Sequence, residues 1–180
     1  MEARGPRPDP GNIPVFRPLM LAHPVEDADW QSLQPRDFAA EWKWDGIRVQ
    51  IAAKGGDVRL YSRTGDDISP AFPEIRSAFD GMDVVADGEL LVVRNGAVAP
   101  FNDLQQRLNR KSVTAKMLRD HPAHLRLYDL LLAAGEDIRP LTFDERRVRL
   151  ENWHAANRPL LTDLSNLVAF DTFDELESLW

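Results

Sequence analysis

The sequence predicts an α+β domain built on antiparallel sheet. Three observations predict it. Short, β-branched, alternating runs such as "IRVQIAAK" and "VVADGELLVV" recur along the chain. Two-residue turns carrying glycine join several of them directly. Stretches of helical character are set unevenly between them rather than in strict alternation. The 180 residues are the size of one ordinary domain, and 43% hydrophobic content suffices for a core.

Each element has a local reason. Residues 1–14, rich in Pro, Gly and Arg, are expected to form a flexible arm ahead of a domain at 15–180. "FAAEWKWDG" (38–46) and "IRVQIAAKGGDVRLYS" (47–62) are expected strands, with "KGGD" (54–57) a hairpin turn. "SPAFPEIRSAF" (69–79) suits a short helix opened by Ser69 or Pro70. "MDVVADGELLVVRNGAVA" (82–99) is a second hairpin, turned at Asn95-Gly96, and residues 100–121 then change to helical character. "HLRLYDLLL" (124–132) returns to strand and "AAGED" (133–137) turns the chain. In "TFDERRVRLENWHAAN" (142–157), Thr142 and Glu145 stand at capping-box spacing for a helix. "LVAF" (167–170) is a short strand and "TFDELESLW" (172–180) a closing helix.

Charge narrows the function classes. The net charge of −7 argues against non-specific nucleic-acid binding by the molecule as a whole, though not against a local basic surface. Such a surface is a candidate between Leu104 and Arg119, where five bases and no acid occur; Arg107, Arg110 and Lys111 are its candidate phosphate contacts. A solvated helical face is the alternative. There is no cysteine, hence no disulfide framework and no cysteine-ligated zinc, which fits a cytoplasmic setting. No apolar run is long enough to cross a bilayer, and the four histidines show no ligand spacing.

The stretch around Lys43 does not behave as ordinary packing. In a regular strand over 41–45, Lys43 and Asp45 share one face while Trp42 and Trp44 share the other. The odd positions continue into Ile47, Val49 and Ile51, so an unbroken strand would bury Lys43 among aliphatics. Gly46 permits a bend that changes the parity and lets Lys43, Asp45 and Arg48 line a pocket. An exposed lysine on an edge strand is the alternative. In a pocket, a neutral lysine amine is suited to attack a phosphoryl group, with guanidinium groups and a metal absorbing the developing charge.

"KWDGIR" (43–48), "YSRTGDDIS" (61–69), "ADGELL" (86–91) and "LYDLLLAAGEDIR" (127–139) follow in that order. Together they make the chain resemble ATP-dependent DNA ligases, members of the covalent nucleotidyltransferase superfamily. "FRPLMLAHP", "PFNDLQQRLNRK" and "GEDIRPLTFDERRVRL" resemble a bacterial branch of that family. The likeness runs from about Val15 to Arg149. It implies an antiparallel-sheet adenylation domain that forms a lysyl-AMP intermediate with ATP and Mg²⁺ and serves the sealing of nicked double-stranded DNA in repair, replication and recombination.

Carried over residue by residue, the resemblance makes Lys43 the nucleophile and Asp45 the carboxylate that orients the lysine or a metal-bound water. Glu41 and the Trp42 backbone would read the adenine edge. Arg48 and Arg63 would meet the nucleotide or the nick phosphate. Glu89 would face the ribose hydroxyls, and Tyr128 would stack on adenine; by residue type alone, a core position suits Tyr128 better. The family's later strands, with their lysines and a glutamate, and its OB-fold domain find no match here. The chain is therefore expected to be a fragment with little complete ligation. An RNA ligase or capping-type transferase, or a non-catalytic nucleotide- or DNA-binding fragment, is the alternative.

Overall fold

A computed structural model describes residues 14–21, 23–108, 110 and 112–179. They form two compact units. The expected 1–14 arm lies, but for Pro14, outside the described residues.

The larger unit comprises residues 14–17 and 45–164. Its strands are β2 (Ile47–Lys54), β3 (Asp57–Ser62), β4 (Val84–Arg94), β5 (Ala97–Val98), β6 (Ala123–Ala133), β7 (Glu136–Asp137) and β8 (Thr162–Leu164). Strand β1 (Ala40–Glu41) precedes them in the smaller unit. The sheet order is β3-β2-β4-β6-β7, antiparallel at each step, with β5 added to β4. Strand β8 joins β6 in parallel. The helices are α1 (Pro73–Ala78), α2 (Phe101–Gln105), α3 (Ala115–Asp120) and α4 (Phe143–Asn157).

Backbone chemistry explains the hairpins. Gly55 and Gly56 have φ of 60° and 82°, and Asn95 and Gly96 have 53° and 79°. Those left-handed pairs match the twist of the flanking strands, so each hairpin closes in two residues. Helix α4 opens on a complete capping box between Thr142 and Glu145. It ends at Arg158 in the left-handed conformation.

The sheet has two unlike faces. Val49, Ile51, Leu60, Ala86, Leu90, Leu125 and Leu127 point to one side and pack against Phe72, Ile75 and Phe79, all essentially inaccessible. Leu104 of α2 and Leu150 and Trp153 of α4 complete that core. Burying each large side chain contributes roughly 1.5–3 kcal/mol. The opposite face carries Arg48, Gln50, Asp87, Glu89, Arg126 and Tyr128, with a small apolar cluster of Ala52, Val85, Leu131 and Leu132 at one end.

One glycine governs how closely β4 and β6 approach. The register between them shifts between Asp87 and Gly88, and a Cβ on Gly88 would sit 2.5 Å from the Arg126 carbonyl oxygen. The obstacle is backbone, so a side chain there must prise the two central strands apart. Gly88→Ala is expected to cost about 2–3 kcal/mol of stability, read as a lower urea midpoint. A midpoint equal to wild type would show that the strands yield without cost.

The smaller unit comprises residues 18–44 and 165–179. Strand β1 pairs antiparallel with β9 (Leu167–Val168), and α5 (Phe173–Ser178) follows, capped by Thr172 and Glu175. Single 3-10 turns occupy Asp29–Gln31 and Pro35–Asp37. The rings of Trp30, Phe38 and Phe170 surround Phe173 at centroid distances of 5.0, 6.5 and 6.2 Å. The strand expected over 38–46 is thus only two residues long. Beyond Glu41 the backbone leaves the ladder, and Asp45-Gly46 forms a bend. Within the expected helical stretch 100–121, the described residues form two short helices, α2 and α3. Strand β8 had no expectation at all.

Candidate functional site

In the smaller unit, the segment that carries Lys43 is tied down on both sides. Ala40 and Glu41 are held opposite Val168 and Leu167 of β9. Trp44 donates its indole N–H to Ser165 Oγ at 3.1 Å, and Ser165 is 1% exposed. Lys43 lies between these anchors, exposed, and lines a cavity of about 200 Å³. Ala40, Glu41, Trp42, Val168, Leu176 and Leu179 complete the lining. An amine on an anchored backbone beside a concave surface has the chemistry of a candidate nucleophile.

In the larger unit, Asp45 is exposed at the bend that leads into β2. Gly46 is required there: a Cβ would meet the Leu90 carbonyl oxygen at 2.4 Å and Glu89 Cγ at 2.9 Å. The bend expected of this glycine is present, and backbone crowding is its physical reason.

The outer face of the sheet gathers three of the sequence candidates. Arg48 stands opposite Glu89 in the β2–β4 register, and its guanidinium carbon lies 5.4 Å from the centroid of the Tyr128 ring. Tyr128 is half-buried on this outer face, away from the main core. Asp87, 1% exposed, grips Arg48: Nη2 donates to Oδ2 at 2.5 Å and Nε lies 3.2 Å from the same oxygen. Burial pushes the Asp87 carboxyl up, and the Arg48 guanidinium opposes that push. Burial would lower Arg48, but its bond to Asp87 carries it above its ordinary value, with Tyr128 and Glu89 adding to the effect.

Three residues outside the sequence candidates belong to this face. Arg126, opposite Glu89, donates Nε and Nη2 to the two oxygens of Asp163 at 2.8 and 2.6 Å. His124 Nε2 lies 3.2 Å from Asp163 Oδ2. Burial raises the Asp163 carboxyl, yet Arg126 and His124 outweigh it and hold the group well below the usual carboxylate range. The signal available for Arg126 was its spacing of two from Tyr128 in an alternating strand. Asp163 had none, because its partner lies 37 residues away.

The basic stretch requires a correction. Arg107 is fully buried and cannot reach a phosphate. Nη1 and Nη2 donate to Glu74 at 2.8 and 3.0 Å, and to the carbonyls of His121 and Ala71 at 2.8 and 2.6 Å. The guanidinium also lies 5.0 Å from the Phe72 ring centroid. Arg110 is exposed and donates to the Gln106 carbonyl, whereas Lys111 lies outside the described residues. Arg63 is exposed on the turn after β3. Asp129 is structural: it accepts from the Leu130 amide and pairs with Arg146 of α4 at 2.9 Å.

Among the described residues, no three His, Asp or Glu side chains are grouped to hold a metal ion. Nor is any helix among them long and apolar enough to cross a membrane.

Comparison with known proteins agrees with the motif order. A probable DNA ligase of Koribacter versatilis is 36% identical over 154 residues, 83% of this chain and 27% of that protein. A DNA ligase of Archaeoglobus fulgidus is 34% identical, over 94% of this chain and 30% of that one. The chain therefore spans under a third of these relatives. Among solved structures, the ligase domain of M. tuberculosis LigD superposes with a TM-score of 0.60 at 30% identity, covering 78% of this chain and 44% of that one. A Lig E DNA ligase shares the fold at a TM-score of 0.65 and 19% identity, covering 92% and 56%. The model of the ATP dependent DNA ligase domain matches residues 19–180, past Arg149, where the recognisable motifs end. With nearly its whole length matched, the chain belongs to the ATP dependent DNA ligase domain family.

Proposed function

We propose that the chain is part of the adenylation domain of an ATP-dependent DNA ligase, with Lys43 as the residue that takes up AMP. The observation that carries this is the gathering of Arg48, Glu89 and Tyr128, 80 residues apart at the extremes, on one polar sheet face. A nucleotide needs an aromatic plane, a carboxylate for its sugar hydroxyls and positive charge for its phosphates, and that face supplies all three. A mycobacterial DNA ligase D with similar structure has been solved in complex with ATP.

The step assigned to this chain is a phosphoryl transfer. The neutral Lys43 amine attacks the α-phosphorus of ATP. An N–P bond forms, the bond from phosphorus to the pyrophosphate oxygen breaks with pyrophosphate leaving, and the amine proton passes to solvent water. Glu41 and the Trp42 backbone read the adenine edge, and Asp45 orients the lysine. Arg63, exposed, is free to meet the nick phosphate of double-stranded DNA, and Arg110 is the remaining described candidate of the basic stretch. Mg²⁺ neutralises phosphate charge when bound. The donor set fits only a metal delivered with the nucleotide, since few carboxylates are needed when phosphates supply the other ligands. Service in repair and replication in the cytoplasm completes the proposal.

Base choice separates this function from capping chemistry. Incubation with α-labelled ATP or GTP and Mg²⁺ is expected to give acid-labile protein label from ATP alone. Label from GTP would reassign the chain to a capping-type transferase.

A further inference from the structure

Four charged residues stand in line across four strands of the larger unit. Arg48 in β2 is opposite Glu89 in β4, Glu89 is opposite Arg126 in β6, and Arg126 is opposite Asp163 in β8. The signs alternate along the row. Directly opposed side chains on one face lie about 5 Å apart at Cβ and interact. The last pair is tightly specified, because Arg126 offers its two-toothed fork to both Asp163 oxygens. His124, on the same face, adds a third group beside Asp163.

The geometry points to Arg126 and Asp163 as positioning residues for Glu89: Asp163 fixes the Arg126 guanidinium, whose charge sets where the Glu89 carboxylate stands toward a ribose. This rests on the reading that Glu89 meets the ribose hydroxyls. A carboxylate that accepts from two vicinal hydroxyls needs a fixed orientation, and a neighbouring guanidinium is the strongest local influence on it. If Arg126 swings free of Asp163, its nearest carboxylate along the row is Glu89. A guanidinium fork on Glu89 would engage the oxygens that the hydroxyls require. The depressed titration of Asp163 agrees with a carboxylate kept charged for this purpose. Asp163 thereby gives the short parallel strand β8 a reason beyond closing the sheet.

The test is equilibrium binding of ATP and 2′-deoxy-ATP to the wild-type chain, Asp163→Asn and Arg126→Lys, with the thermal midpoint of each variant. Wild type is expected to prefer ATP. Asp163→Asn is expected to lose roughly three- to tenfold of that preference while its affinity for 2′-deoxy-ATP changes little. Arg126→Lys keeps the charge but cannot fork, and is expected to move in the same direction. Equal weakening toward both nucleotides, or no change in either, would overturn the inference and leave Glu89 as the ribose contact. Should either variant fail to fold, Arg126→Asp combined with Asp163→Arg keeps an ion pair but reverses the charge beside Glu89. Lost preference in that folded protein supports the inference, and retained preference overturns it. A wild type without any preference would instead overturn the ribose reading of Glu89, and the inference with it.

Discussion

Arg107→Ala is expected to destabilise the larger unit by about 3–5 kcal/mol, the largest stability effect of any single substitution considered. Four contacts converge on this one side chain. It pairs with Glu74 through both terminal nitrogens, caps two backbone carbonyls and lies over the Phe72 ring. Alanine leaves Glu74, with a side chain only 18% exposed, without its cation. It also leaves the Ala71 and His121 carbonyls short of a donor and opens a cavity beside Phe72. For a chain of this size, that loss lowers the thermal midpoint by roughly 10 °C. Removing both charges with apolar residues of similar volume, Arg107→Met with Glu74→Leu, should cost less than the single change, because no buried charge is stranded. A loss under about 1 kcal/mol for Arg107→Ala would mean that the node is ornamental to the fold.

That same residue shows where sequence reading stops. Five bases without an acid suggest a solvated or phosphate-binding face, yet burial depends on Glu74, 33 residues earlier. No local pattern reports such a partner. The turns were legible for the opposite reason, since Gly55-Gly56 and Asn95-Gly96 carry their conformational requirement in their own residue types. The Thr142–Glu145 cap is equally local. Strand β8 escaped notice because three residues in parallel pairing leave neither alternation nor a hairpin turn.

The site divides along similar lines. Lys43, Glu89 and Tyr128 became candidates through motifs whose order matched a family, and the bend at Gly46 through the cost of glycine inside a strand. The alternation of Trp42, Lys43 and Trp44 suggested a strand longer than exists; anchoring by β9 and Ser165 replaces ladder bonds there. The grip of Asp87 on Arg48 is a contact across two strands, visible only once the β2–β4 register is known.

The central claim is that Lys43 forms a covalent bond to AMP. Its amine is the one amine among the described residues that line the cavity beside β1 and β9, and Lys43→Ala removes the reacting atom without disturbing either anchor. Loss of labelling should therefore be complete, with folding intact. The measurement is intact mass and labelled-gel analysis after incubation with α-labelled ATP and Mg²⁺, wild type beside Lys43→Ala. One acid-labile AMP is expected on wild type, mapping to the peptide that contains Lys43, and none on the folded variant. Label that persists on Lys43→Ala, or a folded wild type that acquires none, would contradict it.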